Sequence, residues 1–347
     1  MKKWLLIIGF VIFLALPADA LEISPPVVPE SGAEIMPENT SSFSDGLAEL
    51  VSKAIRIIRP DLSEAVNVCI SILCTAVVVS VLRGATSSIE RTTDLAGMAA
   101  VSGLMLGSAN SMLQLASETL QELGDYGRLF YPVMATALAA QGGVSSSAAL
   151  YTGTALLDAL LCSFISKAML PTVCIFLALS CANSAIGEDY LKRMRDLVKN
   201  GISWFLKTAL TVYTTYMSIT GVVSGTTDAA ALKATKVTIS SVVPVVGGIL
   251  SDASEAVLVS AELMKNAAGI YGILAILAVF VSPFLKISVH YLLLKLTAAV
   301  CSLFGTKTVS GLIDDFGCAM GLLLAMTGTV CLLLLISTVC FMKGVGQ

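Results

Sequence analysis

Long apolar runs separated by few charges constrain this chain more than any other feature of its sequence. Charged residues make up 13% of its 347 residues, against about 25% in ordinary soluble domains, and the mean hydropathy is +0.88. In lipid every backbone polar group needs a partner within the protein, which apolar segments obtain as helices. We therefore predict an all-α, polytopic membrane protein. The apolar runs lie near residues 66–82, 95–116, 129–141, 148–164, 168–186, 202–223, 267–285, 287–304 and 317–342.

The distribution of Lys and Arg predicts how these helices are oriented. Short cytoplasmic loops are enriched in both residues, and the segment Glu188–Asn200 is the richest in this chain. If the mature N-terminus is extracytoplasmic, an acidic loop at residues 118–125 is also outside, and three crossings between residues 129 and 186 bring Glu188–Asn200 inside. The C-terminus is then cytoplasmic, and the total is about eight or nine spans of about 20 residues or fewer.

The first 44 residues have the features of an exported front end. Lys2 and Lys3 precede an apolar run that ends before Pro17-Ala18-Asp19-Ala20, a pattern typical of a cleaved signal peptide. We predict that residues 1–20 are this signal peptide; an uncleaved anchor is the alternative, although the run is shorter than the roughly 20 residues of a span. Residues 21–44 are rich in Pro, Ser and Glu, which predicts a disordered exported linker.

Residues 45–60 have apolar side chains at helical spacing, which predicts an amphipathic helix. Pro60 is expected to end it. The helix either lies on the outer membrane surface or a partner, or packs onto the protein's own helices. The polytopic membrane domain is expected to cover residues 65–343.

Glycines four residues apart predict close helix packing at three places. Such pairs let two helix backbones approach each other in lipid. The pattern fits a packed bundle and a homo-oligomer equally well. The pairs are Gly103 and Gly107, Gly221 and Gly225, and Gly317 and Gly321.

Residues 237–265 look least like a plain span. The apolar run there is broken at Pro244, Gly247 and Gly248 and is followed by Asp252 and Glu255. Broken backbone at membrane depth is tolerated only inside protein or beside a water-filled cavity. We therefore predict a re-entrant hairpin, whose five named residues are candidates for lining a conduit; an amphipathic pair in the membrane interface is the alternative.

Asp158 is a candidate for a functional polar group inside the membrane. It lies within the run 148–164, where an ionisable side chain is costly and is usually retained for a function.

Composition and missing motifs exclude several classes of function. The 21 Lys and Arg against 24 Asp and Glu give a net charge of −3, which does not suit nucleic-acid binding. One histidine and no C-x-x-C pair leave no local metal site, and the chain has no P-loop, G-x-S-x-G or H-E-x-x-H motif. We predict a non-enzyme without cofactor, metal or catalytic residues.

Two functions remain: a stand-alone secondary transporter for a small solute, and a membrane component of a multiprotein channel or secretion machine. Transporters commonly have broken helices at matching positions of both halves. Here the break at residues 244–248 has no counterpart in the first half. This favours the assembly component.

One stretch of sequence resembles a known family. The run TTDAAALKATKVTISSVVPVVGGILSDASEAVLVSAELMKNAAGIYG, followed by SPFLKISVHYLLLKLTAAV, is similar to the core of the stage III sporulation protein AE family of endospore-forming Firmicutes. The resemblance implies a place in the channel complex between mother cell and forespore, in the mother-cell-derived outer forespore membrane. It also implies partners from the same operon, including a secretion-type ATPase and ring-forming proteins.

Overall fold

Every regular element in the described residues is a helix. The computed structural model describes residues 25–38, 43–85, 90–141, 143–242, 247–304 and 307–343, with side chains outside 83–91 and 221–265. The predicted signal peptide lies outside these ranges. The helices are α1 (Glu30–Ala33), α2 (Phe43–Ala85), α3 (Glu90–Ala140), α4 (Val144–Phe164), a π-helical turn (Ile165–Met169), α5 (Leu170–Ile186), α6 (Asp189–Val242), α7 (Gly247–Leu303) and α8 (Lys307–Met342).

Four helical stretches in the described residues are long and apolar enough to cross a membrane. They are Phe43–Leu82, Val144–Ile186, Asn266–Leu303 and Lys307–Met342. The all-helical class is confirmed, whereas the predicted count of eight or nine spans is not. One reason is that neighbouring apolar runs join: the runs 148–164 and 168–186 form one stretch, and the runs 267–285 and 287–304 both lie in α7.

Lys286 shows why the sequence suggested a boundary where the helix continues. It separates two predicted spans, but in α7 its Nζ lies 2.8 Å from Asp61 Oδ2 of α2. The charge is therefore paired between two helices and does not mark a loop. The helix also continues through Pro283.

The predicted topology between residues 118 and 200 needs correction. Residues 118–125 are not a loop, because α3 runs through them without interruption, and residues 129–140 complete the same helix. Val144–Ile186 is one stretch, so the three predicted crossings are reduced to one candidate span. Gly187, with φ of 76°, ends α5, and α6 begins at Asp189, so the basic segment opens a helix. The orientation predicted for Glu188–Asn200 depended on three crossings before it, so the number of crossings no longer supports that orientation.

Pro60 does not end the amphipathic helix as expected, since α2 continues to Ala85. A proline inside a helix costs about 3 kcal/mol, and packing on both sides of Pro60 offsets this cost. Before it, Leu50 and Ala54 are fully buried beside Ala278 of α7. This helix therefore packs onto the protein's own α7, the second of the two alternatives.

The described part of the predicted linker is ordered. Residues 25–38 contain α1, and Ile35, which is 1% exposed, packs with Leu50, Ala54 and Ala278. The Met36 carbonyl accepts a hydrogen bond of 3.1 Å from Lys53 Nζ. The segment as a whole is polar in composition, so its few apolar residues that pack on the bundle, such as Ile35, did not stand out in the sequence. Whether the segment is exported stays a prediction.

Helix α8 lies at the centre of the bundle. It packs against α3, α4, α5, α6 and α7, and Met326, Val330 and Leu334 on it are fully buried. By contrast, large apolar side chains such as Leu160 of α4 and Trp204 of α6 are mostly exposed, as expected for surfaces that contact lipid. The bundle thus encloses whatever polar groups α8 and its neighbours carry.

Candidate functional site

Asp158 lies inside the bundle because of its place on one face of α4. Leu150, Thr154, Asp158 and Cys162 recur every four residues and are all buried. Helical residues four apart lie on the same face. This stripe faces the protein interior, and Asp158 is 5% exposed.

Tyr131 of α3 holds one oxygen of this carboxylate. Its hydroxyl donates a hydrogen bond to Asp158 Oδ2, and its side chain is 2% exposed. Gly127, one turn earlier on α3, lets the helices come close here. A Cβ at Gly127 would lie 2.6 Å from Leu334 Cδ2 of α8 and 3.6 Å from Asp158 Oδ2.

Two further hydroxyl groups extend the network to α6 and α8. Tyr213 of α6 and Ser337 of α8 are hydrogen-bonded to each other, and both lie near the Tyr131 hydroxyl. Tyr213 and Ser337 are fully buried. We call Asp158, Tyr131, Ser337 and Tyr213 the four-helix polar network, because each comes from a different helix.

A cavity of about 140 Å³ adjoins Asp158. Asp158 Oδ1 has no hydrogen-bond partner among the described atoms. Arg128 also borders the cavity, but its guanidinium pairs with Asp125 at 3.0 Å and its side chain is 64% exposed. The cavity is lined by Gly124, Arg128, Tyr131, Tyr151, Ala155, Asp158, Ala159 and Cys162.

A second polar cluster joins the beginning of α8 to α6 and α7. Arg195 Nη1 of α6 lies 2.6 Å from Asp315 Oδ2, and Lys295 Nζ of α7 lies 2.6 Å from Asp314 Oδ1. Burial by itself would lower the pKa of Arg195, but hydrogen bonds and charges from Asp196 and Asp315 outweigh it and raise the pKa. The guanidinium therefore remains charged and ties α6 to α8.

The predicted packing glycines have different surroundings. Gly317 lies where a Cβ would be 3.4 Å from Lys295 Cε, and Gly321 where it would be 3.3 Å from Tyr291 Cε2, so both face α7. Around Gly103 and Gly107 no described atom lies within 4 Å of a Cβ position, so these two face away from the rest of the described chain. The surroundings of Gly221 and Gly225 lie outside the described side chains.

The predicted hairpin is described only in part. Pro244 lies outside the described residues, between the end of α6 at Val242 and the start of α7 at Gly247. Gly247, Gly248, Asp252 and Glu255 belong to the first turns of α7, where side chains are not described. The re-entrant path and the conduit role stay predictions.

Sequence reasoning found Asp158 but missed its partners. An acidic residue inside an apolar run is rare enough to notice, whereas Tyr131 and Tyr213 are ordinary residues of apolar helices. The Arg195–Asp315 pair was missed as well, although the adjacent Asp314 and Asp315 next to an apolar run are a usable signal. In the described ranges no three His, Cys, Asp or Glu side chains are grouped to hold a metal ion.

The apolar spans, the central α8 and the buried polar groups define a multi-helix protein of the membrane-spanning class. Within it, the chain belongs to the stage III sporulation protein AE family, whose model matches residues 34–344. This membership supports a role in sporulation.

One curated relative illustrates how far the similarity extends. The chain is 24% identical over 211 residues to "Stage III sporulation protein AE" of Bacillus subtilis (strain 168), which covers 61% of this chain and 53% of the relative. The chain thus spans about half the length of the curated relative it matches. No solved structure matches the chain.

Proposed function

We propose that this protein is a non-enzymatic, multi-pass membrane component of the channel or secretion complex that joins mother cell and forespore during endospore development. Family membership supports the sporulation part of this proposal. The assembly part rests on α3, which has a surface that suits contact with water or protein rather than lipid.

The outer surface of α3 is polar over several turns. Buried residues such as Met105, Met112 and Leu123 define its inner side, and α3 is not among the four apolar spans of the described chain. We call the opposite side the polar face of α3. It carries Asn110, Ser111, Gln114, Glu118, Gln121 and Asp125, all exposed.

Gln114 donates a hydrogen bond to Glu118, and Asp125 pairs with Arg128, but these bonds leave other amide and carboxylate hydrogen-bonding positions of the face open. Such a face is unfavourable against hydrocarbon, because each polar group left without a partner there costs several kcal/mol, on the order of 2–7 for an amide. Gly103 and Gly107 lie on the same side, at the N-terminal end of the polar face, and permit close approach of another helix. Contact with another subunit or with an aqueous conduit would provide partners for the polar side chains, and another subunit could also pack closely on the two glycines. Such contacts are expected of a component of an assembly.

The proposed partners are the other stage III sporulation proteins of the same operon, including a secretion-type ATPase and ring-forming proteins, together with further copies of this chain. The sequence contains no P-loop, so energy for transport comes from a partner. The proposed location is the outer forespore membrane, with the mature N-terminus extracytoplasmic and the C-terminus cytoplasmic. Termini on opposite sides require an odd number of crossings, so this orientation needs one more crossing than the four candidate spans of the described residues provide. The hairpin at residues 237–265 contributes to the conduit in this proposal.

Site-specific photo-crosslinking in sporulating cells tests the assembly role. A photoreactive amino acid at Gln114, on the polar face of α3, is expected to give crosslinks to another stage III protein or to a second copy of this chain. The matched control is Leu160, an exposed apolar side chain of α4 that contacts lipid. Lipid crosslinks at both positions, without any protein product at Gln114, would contradict the proposal.

A stand-alone secondary transporter is the second candidate, and the cavity beside Asp158 favours it. Transporters place ionisable groups beside cavities near the middle of the membrane. In that case the chain acts without the stage III partners, and loss of the protein affects growth on a particular nutrient rather than sporulation.

A further inference from the structure

Asp158 is a buried acid without a positively charged partner in the part of the chain that the structure describes. Oδ2 accepts a hydrogen bond from the Tyr131 hydroxyl, whereas Oδ1 is unsatisfied. Arg128 is the basic side chain at the cavity, and it pairs with Asp125 instead. If Asp158 is ionised, its negative charge is held in the protein interior by one hydrogen bond.

An ionised carboxylate in such a place is unfavourable. Its transfer from water remains costly even after the protein relaxes, because an unpaired buried ion loses its hydration without gaining an opposite charge. Within a membrane-spanning helix no bulk water repays this cost. A bound positive charge removes it, either as a proton on the carboxyl group or as a metal cation beside it.

The cavity has the size and chemistry for such a cation. Its volume of about 140 Å³ exceeds the roughly 30 Å³ that one water occupies in the liquid, so an ion and several waters fit. Tyr131 and Tyr151 border it, and Tyr151 is 40% exposed. Tyr151 and the exposed Arg128 therefore mark the side on which the cavity lies nearest to the protein surface.

We propose that Asp158 and this cavity form a binding site for one monovalent cation, either H⁺ or Na⁺. The two share the same chemistry here, which is neutralisation of a buried carboxylate. The site is distinct from the polar face of α3 and from the hairpin, and the proposal does not depend on the assembly role.

The four-helix polar network links this site to the packing of the bundle. Tyr131 donates a hydrogen bond to Asp158 and lies near the hydrogen-bonded pair of Ser337 and Tyr213. Neutralising Asp158 weakens its hold on the Tyr131 hydroxyl, because a charged acceptor forms the stronger hydrogen bond. Neutralisation also removes the larger cost of the buried unpaired charge, so occupancy of the site is expected to hold α3, α4, α6 and α8 together more firmly.

The titratable and charged groups around the site are few in the described structure. They are Arg128 and Tyr131 on α3, Tyr151 and Cys162 on α4, Tyr213 on α6 and, facing Tyr213, Cys340 on α8. None of these neighbouring groups is a carboxyl group, so a dependence of stability on cations that disappears in Asp158→Asn is caused by Asp158 itself.

The test uses the purified full-length protein in lipid nanodiscs. Its Tm is measured in NaCl and in choline chloride of equal ionic strength, at several pH values, for the wild type, for Asp158→Asn and for Glu118→Gln. Glu118 is the matched control, since it is an exposed carboxylate that accepts a hydrogen bond from Gln114 and does not border the cavity.

If Na⁺ is the ligand, NaCl raises the Tm of the wild type and of Glu118→Gln by a few degrees, and by less at low pH, where protons compete. Asp158→Asn does not respond. If the ligand is H⁺ alone, NaCl and choline chloride give the same Tm, and the Tm of the wild type and of Glu118→Gln falls with rising pH more than that of Asp158→Asn. Identical Na⁺ and pH responses of wild type and Asp158→Asn would overturn the proposal.

A second measurement covers the case in which Asp158→Asn does not fold. Binding of ²²Na⁺ to the wild type is measured directly, alongside the pH dependence of its Tm in choline chloride. Saturable ²²Na⁺ binding that protons displace supports the Na⁺ site, and a Tm that falls with rising pH without ²²Na⁺ binding supports the H⁺ site. Absence of both effects refutes the proposal without recourse to a variant.

Discussion

At the scale of single residues, the ion pair between Arg195 and Asp315 is expected to matter more than its surface counterparts. The two side chains are only 15% and 11% exposed. Removing one partner of a buried pair leaves an uncompensated charge, which is why such losses cost far more than the pair itself contributes.

We predict that Arg195→Gln lowers the free energy of unfolding by roughly 3 kcal/mol, because Asp315 is left without its cation. The measurement is the Tm and the detergent or denaturant resistance of the purified protein. Arg128→Gln is the matched control, since the Arg128–Asp125 pair is mostly exposed and is worth about 0–1 kcal/mol. Equal losses in the two variants would show that the pair does not hold α6 to α8.

At the scale of helices, close packing of α7 against α3 depends on Gly272. A Cβ at this position would overlap the ring of Phe130, and that ring is fully buried. The ring cannot move aside without disturbing its neighbours, because protein interiors are packed like crystals.

Gly272→Ala is therefore expected to destabilise the protein by about 1–3 kcal/mol, the usual cost of overpacking. Gly103→Ala serves as its control, since a Cβ there meets no described atom and alanine favours the helix by up to about 1 kcal/mol. Thermal unfolding of the two variants side by side gives the answer. A Gly272→Ala protein as stable as the wild type would mean that α7 and α3 are not held so closely.

The predicted hairpin at residues 237–265 gives a prediction about function. If the predicted hairpin contributes to the conduit, Gly247→Leu combined with Gly248→Leu fills space that backbone or ions need. Such a variant is expected to insert normally, as judged by its amount in the membrane fraction, yet to reduce spore formation strongly. Normal spore numbers together with normal insertion would show that the predicted hairpin does not contribute to the conduit.

The sequence predicted the helical class because apolar composition decides it, but the ends of the spans depend on contacts between distant residues. Lys286 looks like a boundary in the sequence, but Asp61 neutralises it, and Pro60 was expected to end a helix although α2 continues through it. Asp158 was found because its own type is unusual in its surroundings. Its network with Tyr131, Tyr213 and Ser337 is tertiary, and no local pattern encodes it.

At the scale of the whole molecule, the helices are longer than a bilayer is thick. Helices α6 and α7 have 54 and 57 residues, which at 1.5 Å per residue is about 80 Å, against about 30 Å of hydrocarbon. Much of the bundle therefore extends beyond the hydrocarbon layer or runs obliquely through it. In the proposed complex, such extensions, together with the polar face of α3, would provide surface for other subunits.

Two polar regions serve different purposes in this account. The polar face of α3 is outward and suits partners, whereas the four-helix polar network is enclosed and suits a small ion. The first belongs to the proposed complex, and the second is a property of the single chain. Crosslinking at Gln114 and cation binding at Asp158 can therefore succeed or fail separately.

The central claim, that this chain is a membrane part of the complex between mother cell and forespore, is tested most directly by a clean deletion in its spore-forming source organism. Membrane-stained cells are followed by microscopy through engulfment, and vegetative growth is measured in parallel, with a restored gene as control. The account predicts normal growth and arrest after engulfment with collapsed forespores. Normal sporulation together with a nutrient-dependent growth defect would contradict it and favour the transporter.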